Sequence, residues 1–147
     1  MASTTRTATT VWIGPTGRDR GELLVGSDAF SALALSRSGR RDAGCGHSSP
    51  EELLAGAHSA SLAMAVSAEL TTARHPAEHV RVDAACELDE AAGDDQRIAR
   101  MSLTVSAMVP GIDADEFDRI VDAAVLSCAI SQALRGNVEI DIDQHLE

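Results

Sequence analysis

The chain has 147 residues, the length of one ordinary domain, and 44% of them are apolar, which excludes a disordered segment. Aromatic residues make up 2%, so the core must be built from Ala, Val, Leu, Ile and Met. With 23 acidic residues against 12 basic ones, all of them Arg, the net charge of −11 argues against partners such as nucleic acid or anionic lipid.

No uncharged run reaches the ~20 residues that a membrane span requires. The opening stretch MASTTRTATTVWIG lacks the apolar core of a signal peptide. The expectation is a cytoplasmic protein with residues 1–147 forming a single domain. Residues 8–35 read as short strands, punctuated by Gly14-Pro15, Gly17 and Gly21. From Ser36 to Ser49 the composition turns to Arg, Gly, Ser and His, as in an exposed loop.

Ser49, Pro50 and Glu52 then form a helix start: an N-cap, a proline at the first helical position and a capping-box partner. The helix is predicted to run through Leu70. Its face of Leu53, Leu54, Ala57, Ser61, Met64, Ala65 and Ala68 is apolar except at Ser61, and small residues on every side predict burial nearly all round. Two strands follow with period-two alternation. Val80, Val82, Ala84, Cys86 and Leu88 share one face, and Ala99, Met101, Leu103, Val105 and Ala107 share the matching face of the partner, joined through Ala91–Gln96. A second helix starts at Asp113, with Glu116 as capping partner, and is predicted to end at Gly136. Val138–Asp143 alternates as a last strand, so the fold class is α+β.

Three scattered cysteines, Cys45, Cys86 and Cys128, make neither a disulfide framework nor a zinc pattern. His75 and His79 have a metal-binding helical spacing, but Pro76 between them favours a turn. No metal and no cofactor is called for. Cys86 reads as a core residue of its strand. The acidic run Asp113, Asp115, Glu116 and Asp118 reads as a capped helix start. His58 and Ser61 lie three apart on one helix, but no acid partner or glycine-rich elbow makes them a serine nucleophile and its base.

Three segments carry a resemblance. Ser49–His58 (SPEELLAGAH) is similar to the N-P-E-E-L-x-x-A-A-H signature of the osmotically inducible protein C and organic hydroperoxide resistance (OsmC/Ohr) family. Val109–Ala114 followed by Phe117 resembles its V-P-G-I-D-A-x-x-F stretch, and Cys128–Leu134 its C-P-x-S-x-x-L segment. Trp12-x-Gly14 fits as well, and the match leans to the osmotically inducible branch. The resemblance implies an OsmC-like fold: antiparallel sheets around a long central helix, in an intertwined homodimer with sites at its interface. It also implies a thiol peroxidase for organic hydroperoxides. One cysteine attacks the peroxide, a second condenses with the resulting sulfenic acid, and a dithiol reductant resets the pair.

The resemblance assigns site roles to Glu51, Cys128 and position 61, and an arginine to pair with the glutamate. Arg18, in Gly17-Arg18-Asp19, and Arg37 are the candidates, with Arg40 and Arg41 competing. Position 61, where the resemblance implies the attacking cysteine, holds Ser61, and an alcohol has no oxidation ladder. Ser61 is therefore natural, in a ligand-binding or scaffold relative; or a replacement of a natural cysteine; or compensated by Cys45. Ala129, where the family has proline, predicts a helix running straight through Cys128 and a less activated thiol. Glu51 and position 61 are ten residues apart, about 15 Å along a helix, so a shared site needs Glu51 from another chain. The pocket is expected to be apolar and to accept a hydrophobic small molecule or hydroperoxide.

Overall fold

The computed structural model describes residues 2–90 and 96–147, so the predicted connection at 91–95 lies outside the described residues. The chain divides into two compact units, Met1–Leu53 and Leu54–Glu147, each with its own three-stranded sheet.

In the first unit, β1 (Ala8–Ile13), β2 (Arg20–Val25) and β3 (Leu33–Leu35) form an antiparallel meander. Gly21 sits inside β2 opposite Trp12 rather than marking a break. A Cβ there would lie 2.4 Å from the indole, so the pairing requires glycine. The 36–49 segment is not a free loop. Leu35 bridges Ser48, a 3-10 turn covers Ser38–Arg40, and the buried Ser36 hydroxyl accepts from the Gly39 N–H at 3.0 Å.

Helix α1 (Pro50–Thr72) begins as the sequence predicts: the Ser49 hydroxyl accepts from the Glu52 N–H at 3.1 Å. The Glu52 carboxylate, however, accepts from the Ser48 hydroxyl at 2.7 Å. The helix runs past Leu70 and stops at Arg74, whose φ of 66° is left-handed. Among the described residues, α1 is the one helix long and apolar enough to cross a membrane by length and composition. Its uncharged stretch is bounded by Glu52 and Glu69, and Leu62, Val66 and Leu70 are buried in the core of the second unit, as in a core helix.

The buried line of α1 is Ala55, His58, Leu62, Val66 and Leu70. The predicted face containing Met64 and Ala68 points outward instead, and Met64 is 74% exposed. Burial all round is therefore not found in the single chain. Small residues on every side leave periodicity with little power to choose the inward face.

In the second unit, β4 (His79–Glu90) and β5 (Gln96–Met108) pair antiparallel with the predicted alternation. The register slips between Glu87 and Leu88, so Ile98, not Ala99, continues the inward face. The expected antiparallel pairing holds for β1–β2, β2–β3 and β4–β5, while strand β6 (Glu139–Leu146) joins β5 in parallel. The physical reason is the crossover: two helices between β5 and β6 bring the chain back to the same end of the sheet. Those helices are α2 (Ala114–Ser127) and α3 (Ala129–Leu134), where the sequence predicts one. Asp113 caps α2, its carboxylate accepting from the Glu116 N–H at 2.9 Å. Phe117, Val121 and Ala124 of α2 close the core against Met101, Leu103 and Val105 of β5.

Candidate functional site

Cys128 occupies the break between α2 and α3. Its backbone is extended (φ −66°, ψ 119°), so it ends one helix and caps the next. The predicted straight run is thus overturned: the break forms with Ala129 in place of proline. Two hydrogen bonds hold it. The Gln132 side-chain amide donates to the Leu126 carbonyl at 2.8 Å, satisfying an orphan acceptor of α2, and the Gln132 N–H donates to the Cys128 carbonyl at 3.0 Å, starting α3.

The thiol faces α1. Cys128 Sγ donates to Ser61 Oγ at 3.2 Å, joining two residues 67 positions apart. One turn before Ser61, His58 Nε2 lies 2.8 Å from Ser131 Oγ, and both side chains are fully buried. His58 thus bonds Ser131, so Ser61 is not the serine paired with this imidazole. Burial alone pushes the Cys128 thiol up. The Ser131 and Ser61 hydroxyls and the backbone N–H groups of Ser131 and Ile130 outweigh it, and hold the thiol below its ordinary value of 9.0. Burial also lowers the His58 pKa, so the ring is neutral at neutral pH.

The other predicted residues fall in the first unit, where the arginine assignment changes. Glu51, at the start of α1, is buried and pairs with Arg40, whose Nη2 lies 3.2 Å from Glu51 Oε1. Glu51 Oε2 is buried and has no hydrogen-bond partner. Arg37 goes elsewhere: its Nε donates to Asp19 at 2.7 Å and its guanidinium lies 5.8 Å from the Trp12 ring centroid. Trp12 Nε1 also donates to Asp19, at 2.9 Å. Arg18 is exposed, and its backbone N–H closes the turn onto the Pro15 carbonyl at 3.0 Å. In the Gly-Arg-Asp turn it is thus Asp19, not Arg18, whose side chain is engaged by Trp12, Gly17 and Arg37. Burial raises its carboxyl, but Arg37, backbone N–H groups and the Trp12 indole hold it below the usual carboxylate range. Cys45 is half-buried in the same unit, its thiol 3.8 Å from the His47 carbonyl.

Residue-type reasoning missed Ser131. Its signal was the spacing: three residues after an N-cap, a side chain returns to the capping residue. Among the described residues, no group of three or more His, Cys, Asp or Glu could hold a metal. His75 pairs with Glu116 at 3.7 Å and His79 with Glu147 at 3.0 Å. An open groove of about 730 Å³ runs along the outer face of α1, lined by Ala63, Met64, Ala68 and Val80 with Glu78 and His79.

Residues 43–143 match the family described as OsmC-like protein. The chain is 31% identical over 131 residues to the peroxiredoxin OsmC of Escherichia coli, covering 88% of this chain and 90% of that one. Among solved structures, an organic hydroperoxide resistance protein OsmC from Legionella pneumophila superposes with a TM-score of 0.76 at 22% identity, covering 99% of each chain. An organic hydroperoxide resistance protein from Elizabethkingia anophelis also gives 0.76, at 20% identity, covering 99% of this chain and 100% of that one. The extended match and the shared fold lead to one assignment: the chain belongs to the OsmC-like protein family.

Proposed function

We propose that this chain carries the organic-hydroperoxide site of its family with Ser61 standing at the peroxide-attacking position, so that it does not turn over peroxide by the two-cysteine route. The observation that carries this reading is the 3.2 Å separation of Ser61 Oγ and Cys128 Sγ. A sulfur at position 61 needs to close only about 1 Å to reach the ~2.05 Å of a disulfide. In the two-cysteine cycle, the attacking thiolate takes the terminal peroxide oxygen and releases the alcohol. Cys128 then displaces water from the sulfenic acid to form a disulfide, and a dithiol returns both thiols. An alcohol at position 61 supports none of these steps, since it is not ionised at neutral pH.

The assembly that suits this reading is a homodimer. Glu51 and position 61 are ten residues apart on α1, about 15 Å of rise, so the carboxylate serving Cys128 belongs to a second copy. The pair it brings is Arg40–Glu51, an ion pair able to steady a thiolate and polarise a peroxide oxygen.

A second reading is a non-enzymatic relative that binds a hydrophobic ligand on the same scaffold, and Ser61 itself favours it. Consumption of an organic hydroperoxide in the presence of a dithiol separates the two. The first reading expects no turnover by the chain as it stands and turnover by Ser61→Cys. No turnover by either favours the second. Turnover by the unmodified chain that disappears in Cys45→Ser assigns the reaction to Cys45.

A further inference from the structure

We propose that His58 is a positioning residue for Cys128, acting through Ser131: the buried imidazole fixes the Ser131 hydroxyl so that its proton points at the sulfur. This rests on the reading of Cys128 as the thiol of the site, and it adds residues to which neither the resemblance nor the relatives assign a role.

The argument is one of donors and acceptors. His58 Nε2 and Ser131 Oγ are 2.8 Å apart and fully buried, so no water competes for either. Burial keeps the ring neutral, so one nitrogen carries the proton. Nδ1 has no partner, so the hydrogen-bonding work of this ring falls on Nε2. With the proton on Nε2, the ring donates to Ser131 Oγ and occupies a lone pair. The Ser131 O–H is then free to donate to Cys128. Ser61 Oγ, in turn, accepts the thiol proton at 3.2 Å and reverses to become a donor when the thiol ionises. The thiolate thus finds two hydroxyl donors in place, where the thiol needs only one acceptor. That asymmetry favours the ionised form.

Within one chain, no charged side chain is among the groups that shift the Cys128 thiol. On α1 the titratable groups are Glu51 and Glu52 in the first turn, neutral His58, and Glu69, the last 3.4 Å from the Ser127 hydroxyl. The inward residues of β5 and β6, Met101, Leu103, Ile140 and Ile142, are apolar, as are Phe117 and Val121 of α2. Arg135, at the far end of α3, is exposed. The sulfur is tuned by oriented hydroxyls and backbone N–H groups, and removing the orientation removes part of the tuning.

The test is the pH profile of Cys128 alkylation by iodoacetamide, read by peptide mass so that Cys45 and Cys86 are scored separately. In this reaction the thiolate sulfur bonds the methylene carbon and iodide leaves with the bonding pair. Ser131→Ala is expected to slow alkylation at pH 7.5 about fivefold by moving the midpoint upward, the effect of one lost hydrogen bond. Ser131→Thr restores the rate. His58→Leu reproduces the Ser131→Ala profile, His58→Gln retains a donor near Nε2 and falls closer to the parent, and the Leu/Ala double variant is no slower than Ser131→Ala alone. An unchanged midpoint in folded Ser131→Ala, or additive losses in the double variant, overturns the proposal. Because the readout is alkylation, failure of Ser61→Cys to consume hydroperoxide removes the functional reading without touching this one.

Discussion

The two units solve different problems with the same few residue types. The second buries a continuous core: Leu62, Val66 and Leu70 of α1, the inward line of β5 and three residues of α2. In the first, all of β1 is exposed, including Val11, Trp12 and Ile13, and the buried side chains gather around Leu35, Ser36, Ser49 and Glu51. Their chemistry differs in parallel. Within one chain the thiol of the second unit is tuned by hydroxyls and backbone N–H groups, whereas the first unit holds arginine–carboxylate pairs such as Arg37–Asp19 and Arg40–Glu51. Exposed apolar residues on β1 and at Met64 are the features a second copy is expected to cover.

Deleting core volume is the strongest way to break this contrast. Phe117→Ala is expected to cost about 3–5 kcal/mol in urea unfolding, because Phe117 is fully buried in the second unit. Ile13→Ala, at a side chain 54% exposed on β1, is expected to cost no more than about 0.5 kcal/mol. A large loss at Ile13 would sharpen the comparison by showing that β1 is covered in the assembled protein.

Arg40→Ala tests the polar half. It leaves the Glu51 carboxylate buried without its cation, and unfolding free energy is expected to fall by about 1–2 kcal/mol, below the cost at a fully buried pair because the guanidinium is one-third exposed. Adding Glu51→Gln to Arg40→Ala recovers part of that loss. Arg18→Ala is expected to change stability by less than about 0.5 kcal/mol, since its side chain is exposed.

The smallest expected effect is a pH dependence. Burial lowers the His58 pKa in the folded chain from 6.5. As pH falls through about 6.5, the unfolded chain binds a proton that the folded chain does not, so stability declines toward acid until the folded pKa is reached. Chemical unfolding between pH 7.5 and pH 5 should show this slope in the parent and a flatter one in His58→Gln.

Legibility followed the same division. The alternation of β4 and β5 was plain in the sequence because one face of each is committed to a core, and the cap of α1 was plain because Ser49, Pro50 and Glu52 act locally. Three features were not. The parallel placement of β6 depends on a crossover, which strand periodicity does not encode. The break at Cys128 is held by Gln132, whose side chain bonds the Leu126 carbonyl six residues back, a side-chain choice that neither periodicity nor the missing proline encodes. The partner of Glu51 was one of several arginines in a polar segment, and only the 3-10 turn over Ser38–Arg40 brings Arg40 to it. Cys128 and Ser61 were identifiable by residue type and resemblance, but their contact, and the Ser131–His58 pair behind it, required the fold.

The central claim is that position 61 and Cys128 form a disulfide-competent pair lacking one sulfur. The most direct measurement is the mass of Ser61→Cys after one equivalent of an organic hydroperoxide. The account predicts loss of two hydrogens, mapped by peptide mass to a bond between position 61 and Cys128, absent in the same variant carrying Cys128→Ser. Sulfenic acid accumulating at position 61 with Cys128 left free would contradict it.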